Sequence, residues 1–425
     1  MSPVVRVRHS LVAALLIGLI LSGCASATRA SSAPSMRIGL LYPTAGAQGV
    51  QGTEEERGAL LAAEWANDHG GVDGRHLLLE TTPVDRPEAV PAAMAAFQQA
   101  GISLVVGSHG SEYSAVAADE ASRRGQLLWE TGAVGDTDAG VHGGTNFIRM
   151  SPMGANLGRN AVDFVHDALA AKLAPRPGGL RWAVAYVDDP YGRAVAGGAR
   201  AEVVATDQPL VGTFPYQLGK TDFAALAAEI GRSKPDVLFV SAYMADGVAL
   251  RRAVVQQHLP LLANLGTSSS FCMLEFGQEL GGESYGLFAS DKPDAAAVRT
   301  DALSPEGRAA LAWAAPLYLA RYQVAMSSHA LSGFANAFAL FVHVLPLAGT
   351  TAAPAVAAAA LAVKLPVGTL ANGGGLDIAP LNAPDAGNNR AAAGVIWEWV
   401  GPGQRAVVWP PAFATHPVVA LPIDT

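Results

Sequence analysis

A cluster of chemically capable side chains follows a short apolar segment near residue 105. Residues 107–114 read GSHGSEYS, so His109, Ser111 and Glu112 bring an imidazole, a hydroxyl and a carboxylate within four positions. Such groups can support acyl transfer when a base activates a nucleophile. At a helix start, however, the spacing i, i+2, i+3 does not aim the three side chains at one point. As a helix N-cap in front of free amides, Ser111 would instead bind a carboxylate or carbonyl group.

The compact motifs of catalysis and of cofactor binding are not present in the context that they need. The spacing G-x-S-x-G occurs at 282–286 (GESYG) but at no predicted strand-to-helix turn, so it is not a nucleophile elbow. The sequence has no H-E-x-x-H and no paired cysteine and histidine. Residues 43–52 (PTAGAQGVQG) carry glycines at i, i+3 and i+6, which is not the dinucleotide spacing G-x-G-x-x-G. We therefore expect no enzyme activity, no cofactor and no metal. The His109→Ala substitution should alter ligand affinity at most.

Other polar or small residues stand in loops that follow predicted strands. In an open parallel sheet, ligands bind beyond the carboxyl ends of the strands, against helix amino termini. Tyrosines suit such a site because each offers a flat apolar ring with a polar tip. The loops read GS at 107–108, ETGAVGD at 130–136, DDPYG at 188–192, SAYM at 241–244 and GTSSS at 266–270. The candidate binding residues that they contribute include Ser108, His109, Glu112, Tyr191, Tyr243, Thr267 and Ser268.

Strands and helices alternate along two successive stretches of the chain, which must position these loops. Short apolar strands separated by helices of 10–15 residues indicate βαβ units and a parallel sheet. The fold class is therefore α/β, with two Rossmann-like lobes and a cleft between them. The predicted strands are 37–42, 76–80, 103–106, 127–129, 182–186, 210–215, 237–240 and 262–265. The tail predicts three helical regions (about 305–323, 326–347 and 351–363) and a closing hairpin at 395–400 and 406–409.

Composition excludes several classes of protein. The chain has 425 residues, of which 50% are hydrophobic and 15% charged, with two cysteines and a net charge of −8. This hydrophobic fraction excludes a disordered chain, and two cysteines exclude a disulfide scaffold. No basic block is present, so we expect no nucleic-acid binding.

The amino terminus predicts a lipoprotein signal. Arg6 and Arg8 precede an uncharged run at 11–21, which is shorter than the roughly 20 apolar residues that span a bilayer. The run ends in LSGC at 21–24, which looks like a lipobox whose cysteine, Cys24, would take the lipid. We therefore expect a signal peptide at 1–23, a flexible tether at 24–35 and a lipid-anchored, extracytoplasmic protein. An ordinary signal peptide is the alternative. Cys272 would then have no disulfide partner in the chain.

A second apolar stretch, residues 322–363, contains no Asp, Glu, Lys or Arg. Gly333, His343, Pro346, Gly349 and Pro354 interrupt it, and much of it is alanine. We interpret it as buried helices of a large lobe rather than as a membrane span.

Six short segments of the chain resemble, in their sequence and order, a known family: the solute-binding lipoproteins of ABC transporters. The resemblance is to the branched-chain amino acid (Leu/Ile/Val) binding branch of the type I periplasmic binding proteins. It extends from residue 36 to about 290 and fits more loosely to 415. The matching segments are 43–46 (PTAG), 67–75 (NDHGGVDGR), 104–108 (LVVGS), 189–192 (DPYG), 221–223 (TDF) and 234–237 (KPDV).

The resemblance implies two lobes joined by three crossovers and a ligand site between them. In this family a serine with backbone amides holds the ligand carboxylate, as Ser111 would. A threonine often helps to hold the amino group, but Val134 stands there, and Thr267-Ser268 replaces the usual acid of the last loop. Both departures weaken an α-amino acid clamp, although Glu112, Glu130 or Asp246 could compensate. The ligand-contacting positions implied by the family are Gln51, Ser111, Gly132, Val134, Tyr191 and Tyr243.

The resemblance also implies lobe boundaries and partners. We expect a first lobe of 36–150 plus about 285–348, and a second of 151–284 plus about 349–415. The expected function is a monomeric solute-binding subunit that takes an amino acid, amide or related carboxylate and delivers it to ABC permease and ATPase subunits. The alternative is a ligand-sensing protein that reports to a separate membrane receptor.

Overall fold

The computed structural model describes residues 35–136, 145–173, 178–401, 403–420 and 423. The signal peptide, Cys24 and almost all of the tether expected from the sequence lie outside these residues. The described chain folds into two α/β lobes, each built around its own sheet.

The first lobe contains a five-stranded parallel sheet of order β2-β1-β3-β4-β5. Its central strand β3 (Leu104–Gly107) consists of fully buried residues, two of them valine, as expected for a strand covered on both faces. The other strands are β1 Met36–Leu41, β2 Leu77–Thr81, β4 Leu127–Glu130 and β5 Phe147–Arg149. The helices are α1 Gly49–Asp68, α2 Val90–Gln99 and α3 Ser111–Arg124, with 3-10 turns at Gly46–Gln48 and Pro87–Ala89.

The second lobe contains a seven-stranded sheet of order β14-β13-β10-β9-β8-β6-β7. Five strands are parallel, and the hairpin β13–β14 adds antiparallel to β10. The strands are β6 Trp182–Val187, β7 Leu210–Tyr216, β8 Val237–Ser241, β9 Ala263–Thr267, β10 Phe288–Asp291, β13 Val395–Gly401 and β14 Gln404–Trp409. The helices are α4 Gly154–Phe164, α5 Pro190–Ala205, α6 Phe223–Arg232, α7 Met244–Gln256 and α8 Leu274–Leu280, with shorter turns at Val165–Leu169, Ala170–Lys172 and Gly281–Ser284.

The tail returns to the first lobe before it closes the second. Its helices are α9 Pro305–Tyr322, α10 Ser328–Ala348, which contains a π turn at Ala339–Val344, and α11 Ala353–Ala362. A 3-10 turn at Thr300–Ala302 precedes them, and a short ladder of β11 Lys364–Leu365 and β12 Leu376–Asp377 follows. Ser304 and Ser327 each cap a helix by accepting a hydrogen bond from an amide in its first turn.

The expected lobe boundaries in the tail are wrong. Strand β10 pairs with β9 in the second sheet, although 285–348 was assigned to the first lobe. Residues 353–378 pack in the core of the first lobe, although they were assigned to the second. Local sequence patterns do not show which sheet a returning segment joins. The chain therefore crosses between lobes after β5, after β10 and after β12, which keeps the expected number of three crossovers.

Helix α10 accounts for the uncharged stretch. In the described part of the chain it is the one helix long and apolar enough to cross a membrane by length and composition. However, 78% of its most apolar window is buried inside the protein, where the helix packs against α1. Gly58 and Gly333 allow this close approach, since a Cβ at either would collide with the backbone of the facing helix. The stretch is core, as the interrupted pattern predicts.

Candidate functional site

A cavity of about 20 Å³ lies between the lobes, beyond the carboxyl ends of the strands. Seven residues proposed from the sequence line it: His109, Ser111, Gly132, Val134, Tyr191, Tyr243 and Ser268. The first four come from loops of the first lobe and the other three from the second. The lobes also touch beside the cavity, where the amide nitrogen of Gln51 lies 3.6 Å from the Met273 sulfur. The cleft expected between the lobes is therefore present.

The buried carboxylate of Glu130 holds two of the first-lobe loops together. Its Oε2 accepts hydrogen bonds from the amide and hydroxyl of Ser108, at 2.8 and 3.1 Å. Its Oε1 accepts from the amides of Gly132 and Ala133 at 2.8 Å, and from that of His109 at 3.3 Å. Burial alone would raise the pKa of Glu130, but these hydrogen bonds hold the pKa below its ordinary value. Glu130 thus positions the loops and does not face the cavity.

A second buried carboxylate positions His109. The His109 Nδ1 lies 2.6 Å from Oε2 of Glu55, whose side chain is fully buried. His109 adopts a left-handed backbone conformation with φ of 80°, which is uncommon for a residue other than glycine. Gly132 is required beside this pair, because a Cβ there would collide with the Glu55 carboxylate. The ring of His109 also meets that of His329 edge to face at 5.0 Å between centroids.

Ser111 differs in detail from the expected N-cap. It is the first residue of α3, and Gly110 occupies the cap position without a side-chain cap. The Ser111 hydroxyl accepts a hydrogen bond from the Gly135 amide at 3.0 Å, which ties the two first-lobe loops together. The same hydroxyl lies at the cavity wall and remains free to donate. No hydrogen bond joins Ser111 to His109 within the described chain, so this pair is not assembled as a nucleophile and base.

The second lobe presents two tyrosine rings whose hydroxyls are already engaged. The Tyr191 hydroxyl lies 2.6 Å from the Thr267 hydroxyl, and that of Tyr243 donates to Asp189 at 2.7 Å. The two ring centroids are 5.3 Å apart. Burial, and then the charge of Asp189, raise the pKa of Tyr243, so both phenols stay protonated at neutral pH. The rings form a fixed aromatic wall that faces the first lobe.

Four proposed residues do not line the cavity. Gln51 lies at the lobe seam, and Ser108 is buried behind the loop, where Glu130 holds it. Glu112 is exposed, and burial of part of its carboxyl, followed by the charge of Asp189, raises its pKa. Thr267 is buried behind Tyr191. These side chains support the wall or the seam, and do not contact the cavity.

The acids considered as partners for a ligand ammonium are also used elsewhere. Asp246 accepts a hydrogen bond from the Tyr216 hydroxyl, and burial raises its pKa. None of the three acids, Glu130, Glu112 and Asp246, lines the cavity. An α-amino acid clamp of the kind considered from the sequence is therefore not assembled from these residues.

Five lining residues were not identified from the sequence: Gln48, Gly110, Ser269, Lys292 and His329. The most consequential is Lys292, a residue that is 3% exposed and whose Nζ makes, among the described residues, one long contact of 3.5 Å, to the Gly132 carbonyl. It follows β10, a strand that the sequence pattern did not reveal. His329 comes from the start of α10 in the tail. The charged pair Asp291-Lys292, which follows the short segment LFAS at 287–290, was the available signal for Lys292.

Cys272 is a packing residue beside this site. The thiol is buried and donates to Oδ2 of Asp291 at 2.7 Å. Burial, and then the charge of Asp291, raise its pKa well above the ordinary value, so the thiolate is disfavoured. Within the described ranges, no group of three or more His, Cys, Asp or Glu side chains is placed to hold a metal ion.

Comparisons with known proteins agree with this architecture. A family model described as periplasmic binding protein matches residues 35–375. The chain is 27% identical over 331 residues to Leu/Ile/Val-binding protein homolog 8 of Brucella suis, covering 77% of this chain and 80% of that protein.

Two solved structures share the fold at lower identity. The branched-chain amino acid transporter substrate-binding protein LivJ of Streptococcus pneumoniae, in complex with isoleucine, has 18% identity and a TM-score of 0.68, covering 88% of this chain and all of that one. An ABC transporter solute-binding protein of Rhodopseudomonas palustris, in complex with benzoate, has 16% identity and a TM-score of 0.70, covering 92% and 99%.

Proposed function

The chain belongs to the periplasmic binding protein family, in the type I branch that contains the Leu/Ile/Val-binding proteins, and from this premise we propose that it is the solute-binding subunit of an ABC importer. It acts outside the cytoplasm, as its family does. It binds a small polar solute between its lobes, which close on the ligand by movement about the three crossovers. Cys24 carries the lipid anchor, and the protein works as a monomer with separate permease and ATPase subunits.

One observation carries the proposal: polar groups from both lobes converge on one cavity between them. Ser111 and His109 face it from the first lobe, and Tyr191 and Tyr243 from the second. Because neither lobe holds all of these groups, a ligand in the cavity makes its full set of contacts only when the two lobes are together. That arrangement couples binding to closure, which is the behaviour a transporter needs from its binding subunit.

The groups at the cavity favour a solute with a carboxylate or carbonyl. Lys292 is a buried cation with one long polar contact, and the Ser111 hydroxyl is free to donate. Proteins of the same fold hold isoleucine and benzoate, both of which carry a carboxylate. We propose an amino acid, an amide or a related carboxylate, with no chemical conversion of the solute.

Calorimetry tests the proposal directly. The purified protein is unfolded and refolded to remove bound solute, and then titrated with amino acids, amides, ureas and aromatic acids. We expect one compound class to bind at a single site, with a smaller radius of gyration by X-ray scattering on binding. Tyr243→Ala should weaken binding at least tenfold, about 1.4 kcal/mol. Tyr285→Ala is the matched control, since that tyrosine is away from the cavity.

Two results would count against the proposal. Refolded protein that binds nothing across the panel would contradict solute binding. Hydrolysis of an ester or amide panel, abolished by His109→Ala, would show an enzyme. The sensing alternative is distinguished by partners: a permease and ATPase that co-purify with the lipidated protein support transport, and a membrane receptor in their place supports sensing. Loss of membrane attachment in Cys24→Ser tests the anchor.

A further inference from the structure

A second and much larger cavity, which we call the seam chamber, lies between the lobes next to the first. Its volume is about 690 Å³, and His329 lines both cavities. Its walls come from the start of α1, the start of α8, the crossover after β10, the loop before α10 and the β13–β14 hairpin. They include Val50, Glu54, Met273, Glu275, Met326 and Arg405.

Size favours the seam chamber as the place for most of a solute. Ligand pockets of proteins usually measure about 300–1,000 Å³, whereas a single water needs roughly 10–15 Å³. The cavity at Ser111 and Tyr191 is therefore large enough for a small polar group only, and the seam chamber is large enough for an organic molecule. Three exposed apolar side chains, Val50, Leu274 and Val324, form part of its wall.

His329 marks the passage between the two cavities. Its side chain is 5% exposed, and no hydrogen bond to either ring nitrogen is present within the described residues. Its Nδ1 lies 3.9 Å from the Glu54 carboxylate, which is beyond hydrogen-bond distance. Burial lowers the pKa of His329 well below its ordinary value, so the ring is neutral. His329 is thus a buried polar ring that makes no hydrogen bond within the described residues and lines two cavities. It is suited to contact a ligand that extends from one cavity to the other.

The charges in the two cavities have opposite signs. Lys292 is a buried ammonium at the small cavity. Glu54 from the first lobe and Glu275 from the second face the seam chamber. The third acid of the chamber, Asp294, is paired at 2.8 Å with Arg405 and is thereby neutralised. Burial of Glu54, and to a smaller extent the charge of Glu275, raise the pKa of Glu54, which is consistent with both carboxylates lining the seam chamber.

We propose that the solute is an elongated zwitterion: its carboxylate binds at Lys292 and Ser111, its apolar stem passes His329, and its amine lies between Glu54 and Glu275 in the seam chamber. This inference rests on the proposed function and names the substrate class of that same site. An α-amino acid, whose two charged groups are on one carbon, would not extend from the small cavity past His329 into the seam chamber.

A length series tests the separation of charges. The refolded protein is titrated calorimetrically with leucine, 4-aminobutanoate, 6-aminohexanoate, 8-aminooctanoate and octanoate. We expect affinity to rise along the amino acid series, and the best member to bind at least tenfold more tightly than leucine and octanoate. Octanoate matches 8-aminooctanoate in stem length but lacks the amine.

Two substitutions assign the two ends. Glu275→Gln should weaken 8-aminooctanoate at least fivefold and leave octanoate unchanged, whereas Lys292→Met should weaken both. Glu279→Gln is the matched control, because Glu279 is exposed on the same helix but does not line the seam chamber. Circular dichroism spectra and unfolding midpoints show that each variant is folded.

The outcomes separate this inference from the proposed function. Tight binding of leucine or of another α-amino acid, with lower affinity for the compounds of the length series, would overturn the proposal of an elongated zwitterion. It would leave the proposal of solute binding intact. Equal affinities for octanoate and 8-aminooctanoate would also overturn it. If neither this series nor the wider panel binds, both the inference and the proposed function are contradicted.

Discussion

The structure predicts that the substitution Glu130→Gln lowers the stability of the folded protein strongly. The carboxylate accepts five hydrogen bonds, from the amides of Ser108, His109, Gly132 and Ala133 and from the Ser108 hydroxyl. The side chain of glutamine has one acceptor oxygen where glutamate has two. It can therefore accept hydrogen bonds from the donors on one side only. The best orientation keeps the three bonds to His109, Gly132 and Ala133 and leaves the amide and hydroxyl of Ser108 without an acceptor.

The cost follows from those two donors. Each buried donor left unsatisfied costs about 1–3 kcal/mol, so we expect the free energy of unfolding to fall by about 2–6 kcal/mol. Chemical denaturation in urea, followed by tryptophan fluorescence, measures the difference. Glu64→Gln is the matched control: Glu64 pairs with Arg321 at 2.8 Å on the surface, and an exposed pair contributes about 0–1 kcal/mol.

The effect should also depend on pH in a defined direction. The pKa of Glu130 is below its ordinary value of 4.5 in the folded protein, so its contribution is fully present above the unfolded-state pKa. That contribution is lost as pH falls through the folded-state pKa. The difference in unfolding free energy between wild type and Glu130→Gln should therefore shrink below about pH 4.5. A difference under 1 kcal/mol at pH 7, or one that stays constant to pH 3, would refute this reasoning.

Two further predictions concern helix packing and the aromatic wall. Gly58→Ala should lower the free energy of unfolding by more than about 2 kcal/mol, because its Cβ would collide with the Ala330 carbonyl oxygen; Gly197→Ala, in an open part of α5, should raise it by about 0.5–1 kcal/mol. Thermal unfolding compares the two, and equal effects would contradict the packing argument. Tyr243→Phe removes the hydrogen bond to Asp189 and should weaken solute binding about twofold to tenfold by calorimetry, with unchanged affinity as the contrary result.

The alternation of apolar strands with helices was enough to predict both lobes. All eight strands predicted in the two α/β halves are present within about two residues of the expected bounds, and so is the closing hairpin. Two short strands of the main sheets were missed, β5 and β10, and so was the small ladder of β11 and β12. Phe288–Asp291 ends in Ser290 and Asp291, whose polar side chains bond to residues distant in the sequence: Ser290 donates to the Leu157 carbonyl, and Asp291 accepts from the Cys272 thiol. A local pattern contains no information on such distant partners.

The loops of the site were predictable because parallel strands place their carboxyl ends together. That rule brought Ser111, Gly132, Tyr191 and Tyr243 to one cavity. It did not separate the side chains that face the cavity from those that support it, as Thr267 supports Tyr191. The difference depends on which hydrogen bonds each loop needs internally, and these are set by the three-dimensional arrangement.

Under the proposed function, the hydrogen bonds within the loops also bear on which part of the chain would select the solute. Glu55 and Glu130 hold His109 and the loop amides, so these buried acids of the first lobe are not available to a ligand. Lys292 and His329, which line the small cavity, both come from segments after residue 290. We therefore propose that the loops at the strand ends form the scaffold of the site, and that the crossover and the helix that return from the tail determine selectivity. On this proposal, the segments that resemble the family predict the fold better than they predict the ligand.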